Sequence, residues 1–232
     1  MYKCLAIITA RGGSKRIPRK NIKSFLEHPI IKYPIEAALQ SKCFDEVMVS
    51  TDDKEIANIS KKYGASIPFY RSKKTSDDFA TTRDVLLEVL NRYKNSGKTF
   101  TYVCCIYPTA SFVTPHKIKA GLSLLKKLNA DKIIPVTKFS NPIQRAFKIE
   151  NNMLKMVWPE NFPKRSQDLT PTYHDCGQFY WMKSDYILNN NNPLTGKIIP
   201  FIIPESEAQD IDNEEDWKLA ELKYKLLYQI KE

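Results

Sequence analysis

Histidine is scarce in this sequence: His28, His116 and His174 are the only three, and no HxxxH pair occurs. The five cysteines (Cys4, Cys43, Cys104, Cys105, Cys176) are odd in number and lack CxxC spacing. Zinc sites draw on such clusters, so a zinc protein is not expected. Cys4, Cys104 and Cys105 fall in strand-like runs, where a reduced thiol behaves as a small hydrophobe. No apolar run approaches the length of a membrane span, and residues 1 to 9 lack the apolar core and cleavage site of a signal peptide. A cytoplasmic chain with no membrane partner is the expectation. No internal repeat is present. With 232 residues, 42% of them hydrophobic, there is enough material for one good core, and residues 1–232 are expected to form a single domain.

One stretch lacks acid altogether. Between Arg11 and Lys23 stand six basic residues and no acidic one. The loop Ala10-Arg11-Gly12-Gly13-Ser14-Lys15 through Lys20-Asn21 follows an apolar run, Leu5-Ala6-Ile7-Ile8, that reads as a buried strand. Two adjacent glycines let the backbone turn and bring its N–H groups close to a ligand. A nucleoside triphosphate is the natural polyanion for such a loop. A solvated basic turn is the alternative. The position, at the carboxyl end of a first strand, favours ligand binding. The net charge of +10 also raises nucleic acid as a partner. That charge is spread over lysine-rich helices, and no helix-turn-helix, zinc-finger or RNP signature accompanies it, so a nucleic-acid-binding module is not expected.

The rest of the chain alternates strands and helices. His28 to Leu39 has helical spacing, with Pro29 suited to the first turn and Pro34 an irregularity. Val47 to Ser50 reads as a second strand, Asp52 as the cap of a helix from Glu55 to Tyr63, and Ile67 to Tyr70 as a third strand. A helix opens near Thr82, Tyr102 to Ile106 is a fourth strand, and a helix from Thr114-Pro115 runs to Leu128. Lys132 to Val136 is a fifth strand. This alternation predicts an α/β fold with a mostly parallel sheet covered by helices on both faces. After residue 138 the pattern changes. Ile143 to Ile149 and Met153 to Trp158 predict a hairpin across Asn151-Asn152. Strands follow at Gly177 to Met182 and Ile198 to Ile203. A last helix from about Glu214 carries Trp217, Ala220, Leu222, Tyr224, Leu227 and Tyr228 as a broad apolar face, read as core packing.

Asp210-Ile211-Asp212 is the second chemical feature. Residues two apart in an extended chain point to one side, so both carboxylates can face one ion while Ile211 faces the core. Magnesium commonly takes one or two carboxylates plus phosphate oxygens. Capping of the last helix by Asp212 explains the same residues, and both readings stay open. Arg71, and Ala80-Thr81-Thr82 at a helix start, offer groups for a base or phosphate. Tyr107-Pro108-Thr109 lies at the carboxyl end of the central strand, where ligands bind. Gln144-Arg145, Arg165-Ser166-Gln167-Asp168 and Tyr173-His174-Asp175 bring arginine, amide and hydroxyl groups into the irregular second half, with arginine suited to a carboxylate.

These motifs, in this order and spacing over nearly the whole chain, resemble the cytidylyltransferases that activate nonulosonic, sialic-acid-like sugars. The anchors are Ala10 to Lys15 with Lys20-Asn21, Val49-Ser50-Thr51-Asp52, Arg71, Tyr107-Pro108-Thr109 and Gln209-Asp210-Ile211-Asp212. Within the family, Pro142 to Arg145, Arg165 to Asp168 and Tyr173 to Trp181 look most like the branch acting on pseudaminic acid. N-acetylneuraminate enzymes have lysine where Gln144 stands and Asn-Gly-Ala at 176 to 178; Cys176 replaces the alanine of the pseudaminate branch. N-acetylneuraminate and legionaminate remain the alternative substrates.

The resemblance implies a Rossmann-like sheet of the nucleotide-diphospho-sugar transferase type. It implies CTP and a nonulosonic acid as substrates, and Mg²⁺ (or Mn²⁺) as cofactor. By similarity Ala10, Arg11, Gly12, Gly13, Ser14, Lys15, Lys20 and Asn21 would meet the nucleotide, with Arg71, Ala80, Thr81 and Thr82 around cytosine and ribose. Asp210 and Asp212 would hold the metal, and with Arg11, Lys15 and Lys20 form the catalytic set. Tyr107, Pro108, Thr109, Gln144, Arg145, Arg165, His174, Gln178 and Phe179 would line the sugar pocket, Arg165 taking the carboxylate. A homodimer is implied, with residues 139 to 172 as a small β-rich dimerisation excursion.

Overall fold

Alternate residues of β1 (Cys4–Thr9) supply two different cores. In the computed structural model, which describes residues 2–229, Ala6 and Ile8 pack towards one face of the sheet and Leu5 and Ile7 towards the other. This follows from the two-residue period of a strand buried on both sides. Each fully buried aliphatic side chain of this kind is worth about 1.5–3 kcal/mol.

The chain runs through β2 (Ser24–Phe25) and β3 (His28–Pro29), a minimal antiparallel ribbon, into α1 (Lys32–Ser41), β4 (Glu46–Ser50), α2 (Lys54–Lys62), α3 (Thr82–Asn95) and β5 (Tyr102–Ile106). Then come α4 (Pro115–Lys127), β6 (Lys132–Lys138), the hairpin β7 (Phe147–Glu150) and β8 (Met153–Met156), and β9 (Tyr173–Asp175). The last elements are β10 (Phe179–Lys183), α5 (Ser184–Asn189), β11 (Ile198–Ile202) and α6 (Glu214–Tyr228). The main sheet has the order β11-β6-β10-β5-β1-β4, with β9 on β6. β1 pairs in parallel with β4 and β5, and β11 with β6, while β10 runs antiparallel to both β5 and β6. The mostly parallel sheet is thus present, with β10 and β9 reversed. One core packs α1 and α4 residues such as Ile35, Ile118 and Leu122 on the sheet; the other packs α3 and α5 residues such as Leu86, Val89 and Ile187.

Helix starts follow from local chemistry. Thr81 and Asp84 form a reciprocal capping box for α3, and Thr114 caps α4 with Pro115 in its first turn. Four expectations are corrected. The first helix begins at Lys32, which places Pro34 in its first turn, where a missing N–H costs nothing, and leaves His28-Pro29 in the ribbon. Asp53, not Asp52, caps α2, accepting from the N–H groups of Glu55 and Ile56. Ile67 to Tyr70 is no strand: pairing stops after a single bridge between Ser66 and Met48, because Pro68 has no N–H to extend a ladder. The broad face of α6 is only partly core. Trp217 and Ala220 are buried and Tyr224 packs beside them, but Leu222, Leu227 and Tyr228 are exposed.

The buried part of α6 matters for the site. Trp217 and Ala220 share a small third core with Ile17 of the basic loop and with Ile211. This cluster clamps together two segments that lie at opposite ends of the sequence.

Candidate active site

The basic loop leaves β1 at the carboxyl end of the sheet and is braced by neighbouring side chains. The Ala10 N–H donates to the Ser50 carbonyl (3.0 Å) and the Gly12 N–H to Asp52 Oδ1 (2.9 Å). A Cβ on Gly12 would lie 2.8 Å from Asp53 Oδ2, so the loop can lie this close to the start of α2 only with glycine at that position. Gly13 has open space instead. Arg19 adopts a left-handed conformation and reaches Asp53 with two hydrogen bonds (2.6 and 3.0 Å). Those bonds, with the capping N–H groups, pull the Asp53 carboxyl down to about 2. Asn21 is buried and donates from Nδ2 to the Arg11 carbonyl (2.9 Å), so it stiffens the loop.

Four of the loop's cations turn into a cleft of about 500 Å³ with Arg71, Thr82, Tyr107, Asp210 and Asp212 in its walls. Arg11 and Lys15 both ion-pair with Asp78, Arg11 at 2.9 Å, and Arg11 also donates to the Asp77 carbonyl (2.7 Å). Across the cleft, Arg16 pairs with Asp212 (2.6 Å), and Lys20 Nζ donates to the Ile211 carbonyl (2.6 Å). Burial lowers the Lys20 pKa, opposed by Asp212. Arg71 is buried under the floor, donating to Ser50 Oγ (3.1 Å) and the Ser50 carbonyl (2.6 Å), and desolvation takes it down to about 10. Asp77 Oδ1 accepts from Phe79 N–H and Ala80 N–H (2.7 Å), shaping the turn before Thr81 and Thr82. Pro108 and Thr109 line the same cleft.

Asp210 and Asp212 both line this cleft, while Ile211 between them is buried in the third core. Asp212 is not the helix cap: Asn213 accepts from Glu215 and Asp216 N–H groups, and Asp216 completes the box. The Asp210 carboxyl is raised by burial and then by the neighbouring charge of Asp212. Among the described residues there is no group of three or more His, Cys, Asp or Glu side chains able to hold a metal. Two hard oxygen donors beside a phosphate-sized basic cleft fit a cation whose other ligands are phosphate oxygens and water, as magnesium prefers.

A second cavity, of about 470 Å³, opens beside the first and shares Thr82 and Tyr107 with it. Leu86, Met182 and Ile187 give it apolar walls; Lys132, Asp175 and Tyr180 give it polar ones. Thr82 Oγ1 and the Tyr107 hydroxyl stand 3.3 Å apart at the junction.

Several residues expected to line a sugar pocket lie elsewhere in the single chain. Phe179 is a core residue, its ring on Phe201, because the alternation of β10 turns it inward. Gln178 is buried and donates to the Glu207 carbonyl (2.6 Å). His174 is exposed, its Nδ1 2.9 Å from the Asp175 carbonyl oxygen and its ring on Phe139. Gln144 donates to the Thr170 carbonyl (2.8 Å), Arg145 to the carbonyls of Phe162 and Lys164, and Arg165 pairs with Asp168 (2.8 Å). None of these six lines either cavity. Conversely, sequence reasoning missed Asp77 and Asp78, whose only signal was two acids shortly before a helix start. It also passed over Asp175, although Tyr173-His174-Asp175 stood out.

Comparison with known proteins places these features in a family. The sequence profile described as cytidylyltransferase matches residues 5–194. A pseudaminic acid cytidylyltransferase of Campylobacter jejuni is 40% identical, with 97% of each chain covered. A CMP-N,N'-diacetyllegionaminic acid synthase of Legionella pneumophila is 32% identical over 94% of this chain and 95% of that one. In fold, a CMP:2-keto-3-deoxy-manno-octonic acid synthetase solved with CTP matches 98% of this chain and all of that one, with a TM-score of 0.72 at 17% identity.

Proposed function

Because this chain belongs to the cytidylyltransferase family, we propose that it joins CTP to pseudaminic acid, giving the CMP-sugar and pyrophosphate. It is a CTP-dependent nucleotidyltransferase acting on a nonulosonic acid. The observation that carries the reading is the meeting of the basic loop and the Asp210/Asp212 pair across one cleft. Lys20 on the Ile211 carbonyl and the shared third core hold the two together. The choice of pseudaminic acid rests on the Campylobacter relative.

In this reading the triphosphate lies on Arg11, Ser14 and Lys15, displacing Asp78 from the two cations, with Lys20 beside the reacting phosphate. The glycine backbone at Gly12 and Gly13 supplies further N–H groups to the phosphates. Arg71, Ala80, Thr81 and Thr82 surround the nucleoside. The sugar acid enters the second cavity past Tyr107, and its anomeric hydroxyl attacks the α-phosphorus in line. Asp210 and Asp212 hold the divalent cation, Mg²⁺ or Mn²⁺; when bound it neutralises charge on the phosphate oxygens. Positioning and charge neutralisation make up most of the catalysis. Residues 139 to 172 serve as the contact of a homodimer. The site of action is the cytoplasm; no helix among the described residues is long and apolar enough to cross a membrane.

Purified protein supplied with CTP, Mg²⁺ and, separately, pseudaminate, legionaminate or N-acetylneuraminate tests the substrate. Release of pyrophosphate and a CMP-sugar mass with pseudaminate is expected, and equal turnover on N-acetylneuraminate overturns the narrower assignment. Asp212→Ala should bind CTP measurably while losing at least about a hundredfold in kcat. Unchanged turnover would show that Asp212 serves only Arg16 and Lys20.

A further inference from the structure

Asp175 lines the second cavity, and one of its oxygens is uncommitted. Oδ1 accepts from the Gly177 N–H (2.8 Å) and from the Tyr180 hydroxyl (2.7 Å). Oδ2 has no hydrogen-bond partner among the described residues. Two bonds on one oxygen lock the carboxylate and aim the other. Tyr180 is a dependable donor, because burial drives its hydroxyl far above the usual phenol range. The Tyr107 ring lies 5.3 Å from that of Tyr180, and its hydroxyl stands 3.3 Å from Thr82 Oγ1, where the two cavities adjoin.

Gly177 links Asp175 to the acidic end of the basic cleft. It has φ +61°, and a Cβ on it would stand 3.3 Å from Asp210 Cγ and Oδ1. Glycine lets the same residue donate its N–H to Asp175 while its Cα lies against Asp210. The other carboxylates lining the two cavities are committed. Asp78 holds Arg11 and Lys15, Asp77 and Asp84 shape the turn and cap before α3, and Asp210 and Asp212 form the pair already assigned to the cation. Tyr173, His174 and Cys176, the titratable neighbours of Asp175 in the chain, line neither cavity.

Resting on the reading that CTP fills the cleft and the sugar acid the second cavity, we propose that Asp175 is a catalytic residue. Its Oδ2 accepts the hydrogen bond of the attacking hydroxyl and takes its proton as the hydroxyl oxygen bonds to the α-phosphorus. In the same step the bond from the α-phosphorus to the bridging oxygen breaks, and its electron pair leaves with pyrophosphate. Asp175 afterwards releases the proton to water.

Asp175→Asn tests this directly, since its amide oxygen can keep both anchoring bonds but cannot take the proton. The expected result is a fall in kcat of about 10²- to 10⁴-fold. The CTP Kd from calorimetry and the KM for the sugar acid should stay within about threefold of the native enzyme. Tyr180→Phe, which removes one anchor and keeps the ring, should lower kcat by roughly three- to tenfold with CTP binding unchanged. The proposal is overturned by a near-native kcat in Asp175→Asn, by a raised sugar KM with kcat retained, or by loss of CTP binding. A native enzyme inactive on all three acids would instead remove the underlying reading, and with it this step.

Discussion

Asp78 holds the two cations of the basic loop that are proposed to meet the triphosphate. Its carboxylate pairs with Arg11 and Lys15, and those contacts, Lys15 first, lower its pKa below the usual carboxylate range. The three side chains are well hydrated, so the contact is a weak competitor for CTP and does not block it. Asp78→Asn should therefore lower the KM for CTP by about twofold to fivefold at low ionic strength, with the gain shrinking as salt rises. A KM that rises instead would mean that Asp78 positions the cations for the nucleotide. At this scale the cations were legible in the sequence, because six bases without an acid are conspicuous in one dimension. Their partners were not, because Asp78 lies more than sixty residues away and meets them only through the fold. Asp52 and Asp53 show the same limit: either suits an N-cap, and only the approach of Gly12 and Arg19 divides the roles, Asp52 bracing the loop and Asp53 the helix.

The elements that position the site are short helices tied down at their first turns. α2 is the clearest case, since its cap Asp53 also receives Arg19 from the basic loop. The folded-state carboxyl titrates near 2, below its ordinary value, so the stabilisation is present above about pH 4 and is lost as pH falls through 2. Asp53→Asn keeps the cap, because asparagine caps as well as aspartate, but removes the charge that Arg19 meets. At neutral pH the variant should lose about 1 kcal/mol, roughly 2–4 °C in Tm, and the gap should narrow as melts are taken from pH 5 towards pH 2. A gap independent of pH would show that the cap alone matters. Helices and strands in the first 138 residues were legible because apolar period and capping residues agree there. The failures have local causes: Pro68 ends a ladder that its flanking apolar residues suggested, and Pro34 sits where a helix accepts proline. Exposed Leu222 and Leu227 mark where periodicity overstated burial, because the third core is only wide enough for one side of α6.

At the scale of the whole molecule, the hairpin stands apart from both cavities, and none of its residues lines either one. β7 and β8 form a sheet of their own, turning on Asn151 and Asn152, both at positive φ. Phe147 pairs with Met156 and Ile149 with Leu154 on one face of this ribbon, while Lys148 and Lys155 pair on the other and each ion-pairs with Glu150. Ile149 is 75% exposed and Leu154 65%, a large apolar face for a two-stranded ribbon, which is marginal in water alone. Gln144, Arg145 and Arg165 belong to the same excursion and stand outside both cavities of their own chain. In the proposed homodimer, a twofold partner would cover the ribbon and bring the excursion of one chain to the second cavity of the other. Ile149→Asp with Leu154→Asp should then convert a dimer to a monomer in sedimentation velocity and lower turnover together. A sharper test mixes two inactive proteins, Asp212→Ala and Arg165→Ala, after denaturation and refolding. If Arg165 serves the neighbouring chain, half of the randomly formed dimers carry one intact site, and about a quarter of the native activity returns. If Arg165 acts within its own chain, every site keeps one lesion and mixing restores nothing.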